Sequence, residues 1–183
     1  MKAMISTLTK VLCALALSAH VAIAAPLTAD DQAALTARID SFRQTFESGD
    51  LSKIGDVIPP KILAVMAEQF GMPAPELLDA MSAAMEHAMQ NVTIDGYSMD
   101  QGAAASAETT SGRTYLLIPT QTLMTVDGAT QIESNTQTLA FADEGAWYLL
   151  RIDDAQQIHF LTQAYPEFSG INFPAGTVAV GNE

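Results

Sequence analysis

Two residues on one predicted strand carry the plainest chemical pattern in this sequence. Asp95 and Tyr97 alternate within the segment 92–99, an arrangement that puts both on one strand face. A carboxylate beside a phenol is a pair suited to general acid–base work, which needs one titratable group held near a second polar one. Past the first 24 residues the only histidines are His87 and His159. His87 sits beside Glu86 on a predicted helix, off its apolar stripe, and is expected to be exposed. His159 stands next to Phe160 in the last predicted helix, and packing of that helix over a sheet would half-bury it. The candidate catalytic set is therefore Asp95, Tyr97 and His159; its structural alternative is a surface acid and a core-edge aromatic.

A second pattern suits binding. Thr130, Ser134, Thr136 and Thr138 share one parity along the segment 129–141, with Ile132 among them, and the opposing segment offers Thr120 and Thr122. Such a wall of hydroxyls, Thr120, Thr122, Ser134, Thr136 and Thr138, suits a polar ligand. It equally suits a solvated outer face, because threonine favours strands. A third pattern is Met81, Met85 and Met89, spaced so that three thioethers project from one helix face. Soft thioethers select Cu(I), and methionine at helical spacing also fills cores. Leu77, Leu78, Ala84 and Ala88 surround this stripe and predict its burial. The sequence contains no Gly-x-Ser-x-Gly, no His-Glu-x-x-His and no phosphate-binding glycine loop. No cofactor is expected.

The elements that must position these residues divide into a helical half, 25–91, and a strand half, 92–152. Leu35, Ile39, Phe42 and Phe46 fall on one face of a first helix that starts at Thr28 and ends at Gly49. A short helix is expected over 51–57. Pro60 opens a helix to Phe70, and Pro75 opens another to about Asn91, since proline is tolerated at a first helical position. Strands follow at 92–99, 103–108, 113–126, 129–141 and 146–152. Asp127-Gly128 is a two-residue hairpin signal. On the first strand Val92, Ile94 and Gly96 are expected to share a side. Asp153 or Asp154 caps a final helix that Pro166 ends, and 168–183 reads as an irregular tail. Helices followed by a meander of strands is an α+β pattern.

Composition places this domain. Lys2 and Lys10 precede the apolar run 11–17, and Ala22-Ile23-Ala24 is a small-x-small cleavage pattern, so 1–24 reads as a secretory signal peptide. That run is shorter than the roughly 20 residues needed to span a bilayer. Lys10, three residues before Cys13, spoils a lipobox. The expected mature chain, 25–183, is one domain of about 160 residues and has no cysteine, Cys13 being the only one. Disulfides and thiolate metal sites are then excluded, and a periplasmic or secreted location in a bacterial envelope is expected. The sequon Asn91-Val92-Thr93 is read as coincidence. The formal charge of −13 falls to about −15 once both lysines leave, which excludes nucleic acid and disfavours anionic membranes. After cleavage no membrane insertion is expected.

The order of elements resembles the NTF2-like fold, a curved sheet wrapped around helices to form a cone. The likeness rests on the long first helix, the Asp127-Gly128 hairpin and the closing strand Gly145-Ala146-Trp147-Tyr148-Leu149-Leu150-Arg151. It covers most of 28–152, and the helices 60–70 and 75–91 depart from it as an insertion. The family hosts isomerases, dehydratases and non-catalytic binders, and Asp95 with Tyr97 is similar in residue type to the acid and phenol of its isomerases. The expectation is therefore an exported, non-catalytic domain that binds a small ligand or a protein partner. The alternatives are a small isomerase or hydratase acting in the cone, and Cu(I) handling by the methionines. The two inserted helices are apolar enough to form a homodimer face or to complete the monomer's own core.

Overall fold

A computed structural model describes residues 26–48, 55 and 57–181. The segment 1–24 and most of the short helix expected over 51–57 lie outside them. Helix α1, Ala29–Ser48, begins where Thr28 Oγ1 accepts the Asp31 N–H at 3.1 Å and donates to its carboxylate at 2.6 Å. Asp30 and Asp31 add negative charge at the positive end of the helix dipole. Helix α2, Pro60–Phe70, ends at Gly71, whose φ of 64° supplies the left-handed cap. Helix α3, Ala74–Met89, follows after Pro73.

The strands are β1 Val92–Met99, β2 Ala105–Glu108, β3 Thr114–Val126, β4 Thr130–Asp143 and β5 Ala146–Arg151. Asp127 and Gly128 both have positive φ, 53° and 68°, so the β3–β4 hairpin turns as its sequence predicts. Asp154 caps α4, Ala155–Ala164, by accepting the Gln156 and Gln157 N–H groups at 2.8 and 2.9 Å. The tail is not wholly irregular. Thr177–Gly181 forms β6, antiparallel to β4. Its five residues, which follow Gly176 and end in Gly181, are too few to stand out from loop composition.

All six strands form one curled antiparallel sheet, a half-barrel. The two long strands, β3 and β4, pair from Tyr115 opposite Phe141 to Val126 opposite Thr130. On the outer side of β3, β1 and β2 lie end to end; on the outer side of β4, so do β6 and β5. Helices cover both faces at one end of this sheet. Leu116, Ile118, Ala140, Trp147 and Leu149 pack with Leu35 and Ile39 of α1. The opposite parity, Tyr115, Leu139 and Phe141, packs with Ile62 of α2, Phe160 and Leu161 of α4, and Tyr165, Phe168 and Phe173 beyond it. Leu139, Ala140 and Phe141 are consequently all sealed from solvent, the apolar run of a strand covered on both sides.

Helix α3 departs from expectation. Leu77 is its one buried residue. Met81 and Met89 are half-buried and Met85 is 37% exposed. The methionine stripe is therefore not core, although α3 contacts α2 and β1. No helix among the described residues is long and apolar enough to cross a membrane.

Candidate functional site

Toward the β3–β4 hairpin the sheet carries hydroxyls on its α1 face and amides on the other. Thr120, Thr122, Ser134, Thr136 and Thr138 do share the α1 face, since Thr120 is opposite Thr136 and Thr122 opposite Ser134. Thr120, Ser134 and Thr138 are buried there, and Thr122 and Thr136 half-buried. The hydroxyls of Thr120 and Thr138 are 2.7 Å apart, and Thr120 donates to the Ile118 carbonyl at 3.1 Å. A hydroxyl has one proton, so Thr138 is the donor to Thr120. These two groups satisfy each other and the backbone.

Tyr97 lies on this same face, opposite Thr122. Its ring sits 4.7 Å from that of Phe46 and 5.7 Å from that of Phe42, both on α1. Burial pushes its phenol well above the usual range, and the Arg151 charge opposes this only in part. Asp95 is elsewhere. The β1–β3 register shifts between Ile94 and Gly96, so Asp95 is the extra residue of a bulge. Past the bulge Gly96 is opposite Leu123 rather than on the side of Val92 and Ile94. Asp95 is exposed and accepts the Thr125 hydroxyl at 2.6 Å. Thr125 has the parity opposite to Thr122, which puts Asp95 and Tyr97 on different faces.

His159 is exposed on α4, its ring 6.0 Å from that of Phe160, and His87 is exposed on α3. The expected half-burial of His159 is thus absent: α4 turns Phe160 and Leu161 inward and His159 out. Asp95, Tyr97 and His159 do not meet. Among the described residues no group of three His, Asp or Glu side chains is placed to hold a metal ion.

A pocket opens on the face opposite α1. It measures about 320 Å³ and is lined by Ser98, Asp100, Gln121, Asn135, Gln137 and Thr177, with Pro119 and Pro174 as apolar walls and Thr120 and Thr136 bordering it. The sheet register builds this group directly, because Ser98 is opposite Gln121, Gln121 opposite Asn135 and Pro119 opposite Gln137. The Gln121 amide donates to Glu133 at 3.0 Å and to Asn135 at 3.3 Å, and Asn135 donates to Glu133 at 2.7 Å. Asp100 accepts the Ala103 N–H at 3.1 Å, which holds its carboxylate in place. Pro174 and Ala175 form the rim, and Gly176 then passes close to the sheet. A Cβ at position 176 would lie 2.9 Å from an Asp153 carboxylate oxygen and 3.0 Å from the Thr136 methyl.

Asp143 is the most heavily bonded titratable group, with a side chain only 8% exposed. Lys61 of α2 donates to both of its oxygens, at 3.1 and 2.9 Å, and the Tyr165 hydroxyl donates at 2.9 Å. Arg113 stands 3.4 Å away, bonds the Ala142 carbonyl, and pairs with Glu167 at 2.9 Å. Burial alone would raise the Asp143 carboxyl. Hydrogen bonds from Lys61 and Tyr165, and the charges of Lys61 and Arg113, outweigh it and hold the group below the usual carboxylate range. The same contact with Asp143 raises Lys61. Nothing in the sequence marks Asp143 as more than a turn residue, because its partners are 82, 30 and 22 residues away. With every partner engaged, this cluster joins α2, β3, β4 and the end of α4 as a structural clasp.

The chain matches no protein-family model, no curated protein and no solved structure.

Proposed function

We propose that this chain is an exported domain that binds a small, uncharged, hydrogen-bonding molecule without transforming it. The observation that carries this reading is the pocket beside Gln121, Asn135 and Gln137: a concave surface of amides and hydroxyls with one carboxylate, Asp100, at its edge. Amides offer donors and acceptors at fixed positions without charge. The strongly acidic chain repels anions and leaves neutral or cationic molecules as ligands. Export rests on the signal-like segment 1–24, and a location in the bacterial envelope follows from it. The NTF2-like resemblance belongs to the same proposal and is supported by α1 lying across one face of a half-barrel.

A non-catalytic role is favoured over an isomerase or hydratase because Asp95, Tyr97 and His159 occupy separate surfaces. The test is a thermal-shift panel on the chain from Ala25 onward, with neutral saccharides, dipeptides, carboxylates and Cu(I). A ligand at 100 times its dissociation constant adds about 2.7 kcal/mol, which for a domain of this size raises the melting temperature by roughly 5–10 °C. The expected result is a shift with a neutral class that Gln121→Ala and Asn135→Ala both abolish. Turnover of the bound compound would overturn the reading. So would a Cu(I) shift abolished by Met85→Ala, which would move the site to α3.

A further inference from the structure

Sheet edges invite pairing with another chain, and proteins blunt them with charges, bulges or prolines. Three of the four short strands here are blunted in this way. β1 carries the Asp95 bulge, β2 ends in Glu108 and β5 ends in Arg151. β6 is different. Thr177–Gly181 has no charge, no proline and an unbroken register with β4, and all five residues are exposed. Among the described residues β4 is its one strand neighbour. Val178 and Val180 are 64% and 55% exposed, the two most exposed large apolar side chains in the described fold.

The order of residues selects the occupant. Val178-Ala179-Val180 reads the same in both directions, so the strand is complementary to itself in an antiparallel pairing centred on Ala179. We propose that two copies of this chain join through β6 about a twofold axis at Ala179, making one continuous sheet across the dimer. Val178 of each copy then lies opposite Val180 of the other, on the face that already carries an apolar row. That row runs Ile94, Met124, Ile132, Val180 across four strands and stops at the exposed edge. A second copy extends it, and an isologous contact of this kind closes without leaving a further edge to grow from.

Charge permits the contact. Two bodies of formal charge about −15, counted from Ala25 onward, meet here through strands that contribute none of it. Among the described residues the carboxylate directly opposite Ala179 is Glu133, on β4 and bonded to Gln121 and Asn135. Three strand spacings separate the two copies of Glu133 in this dimer, about 14 Å, beyond the roughly 8–10 Å over which physiological salt leaves charges in contact. A five-residue seam is small beside a standard interface, so the association is weak and concentration-dependent.

The inference does not rest on the proposed ligand and is tested by mass. Light scattering on the chain from Ala25 onward, between about 10 and 500 µM, is expected to show a rise from one chain to two. Val180→Glu is expected to hold it at one chain, with an unchanged far-UV circular dichroism spectrum. Ala179→Cys, as the sole cysteine of that chain, is expected to form a disulfide dimer under mild oxidation, whereas Ala84→Cys on α3 is not. A single chain at every concentration would overturn the proposal. So would a dimer unaffected by Val180→Glu, cross-linking through Ala84→Cys, or mass growing past two chains.

Discussion

Asp95 and Tyr97, two residues apart on β1, stand on opposite faces of the sheet because the residue between them follows a bulge. One unpaired residue flips every later side chain to the other side. The pair that looked fit for acid–base work therefore has two unrelated jobs. Asp95 accepts the Thr125 hydroxyl in solvent, and Tyr97 closes an aromatic cluster with Phe42 and Phe46. Asp95→Ala is expected to cost under about 1 kcal/mol, as for an exposed hydrogen bond. Tyr97→Ala is expected to cost about 2–4 kcal/mol through lost aromatic burial. Urea denaturation of both variants checks the contrast, and equal losses would contradict it.

The Asp143 clasp predicts a pH dependence. Its carboxyl titrates below the ordinary value of 3.8 in the folded protein. The stability it contributes is therefore complete above the unfolded value and drains away as pH falls through the folded one. Melting curves of the wild type and Asp143→Asn should differ most near neutrality and converge as the pH falls through the folded-state value. At neutral pH the substitution should cost about 2–3 kcal/mol by removing the negative charge between Lys61 and Arg113 and leaving one oxygen where two accepted. A gap between the two proteins that widens in acid would show the sign to be wrong.

Gly176 is held by space. Any side chain there meets Asp153 and the Thr136 methyl at about 3 Å. Gly176→Ala should destabilise the fold by about 1–3 kcal/mol, the cost of overpacking, and displace the Pro174–Ala175 rim of the pocket. Chemical denaturation reads the first effect and ligand affinity the second. A neutral substitution on both counts would mean that the close approach is not maintained in solution.

Direction matters in the buried threonine pair. Thr138 donates to Thr120, which donates to the Ile118 carbonyl. Thr120→Val removes an acceptor and a donor together, whereas Thr138→Val removes one donor. The first should cost about 1–3 kcal/mol and the second nearer 1 kcal/mol. Thermal unfolding of the two variants ranks them, and the reverse order would place the protons the other way round.

What could be read from the sequence was local. The spacing of Leu35, Ile39, Phe42 and Phe46 describes α1 and its inward face, and Asp127-Gly128 its hairpin, because a helix period and a type I′ turn are properties of neighbouring residues. The bulge at Asp95 left no mark, since its signature is a register between β1 and β3 that neither strand carries alone. The Asp143 clasp was equally invisible, being assembled from Lys61, Arg113, Asp143 and Tyr165 by the fold. The pocket falls between these cases. Gln121, Asn135 and Gln137 alternate with the threonines that drew notice, one residue out of step and on the other face.

The end-to-end placement of β5 and β6 along β4 divides one edge into two units of unequal permanence. β5 is locked by Trp147 and Leu149 in the core, whereas every residue of β6 is exposed. Amide protons of β6 should therefore exchange through local opening while those of β5 wait for global unfolding. Because Thr177 lines the pocket, each such opening takes away part of its lining. Occupancy of the pocket and slow exchange in the last strand are thus two readouts of a single equilibrium.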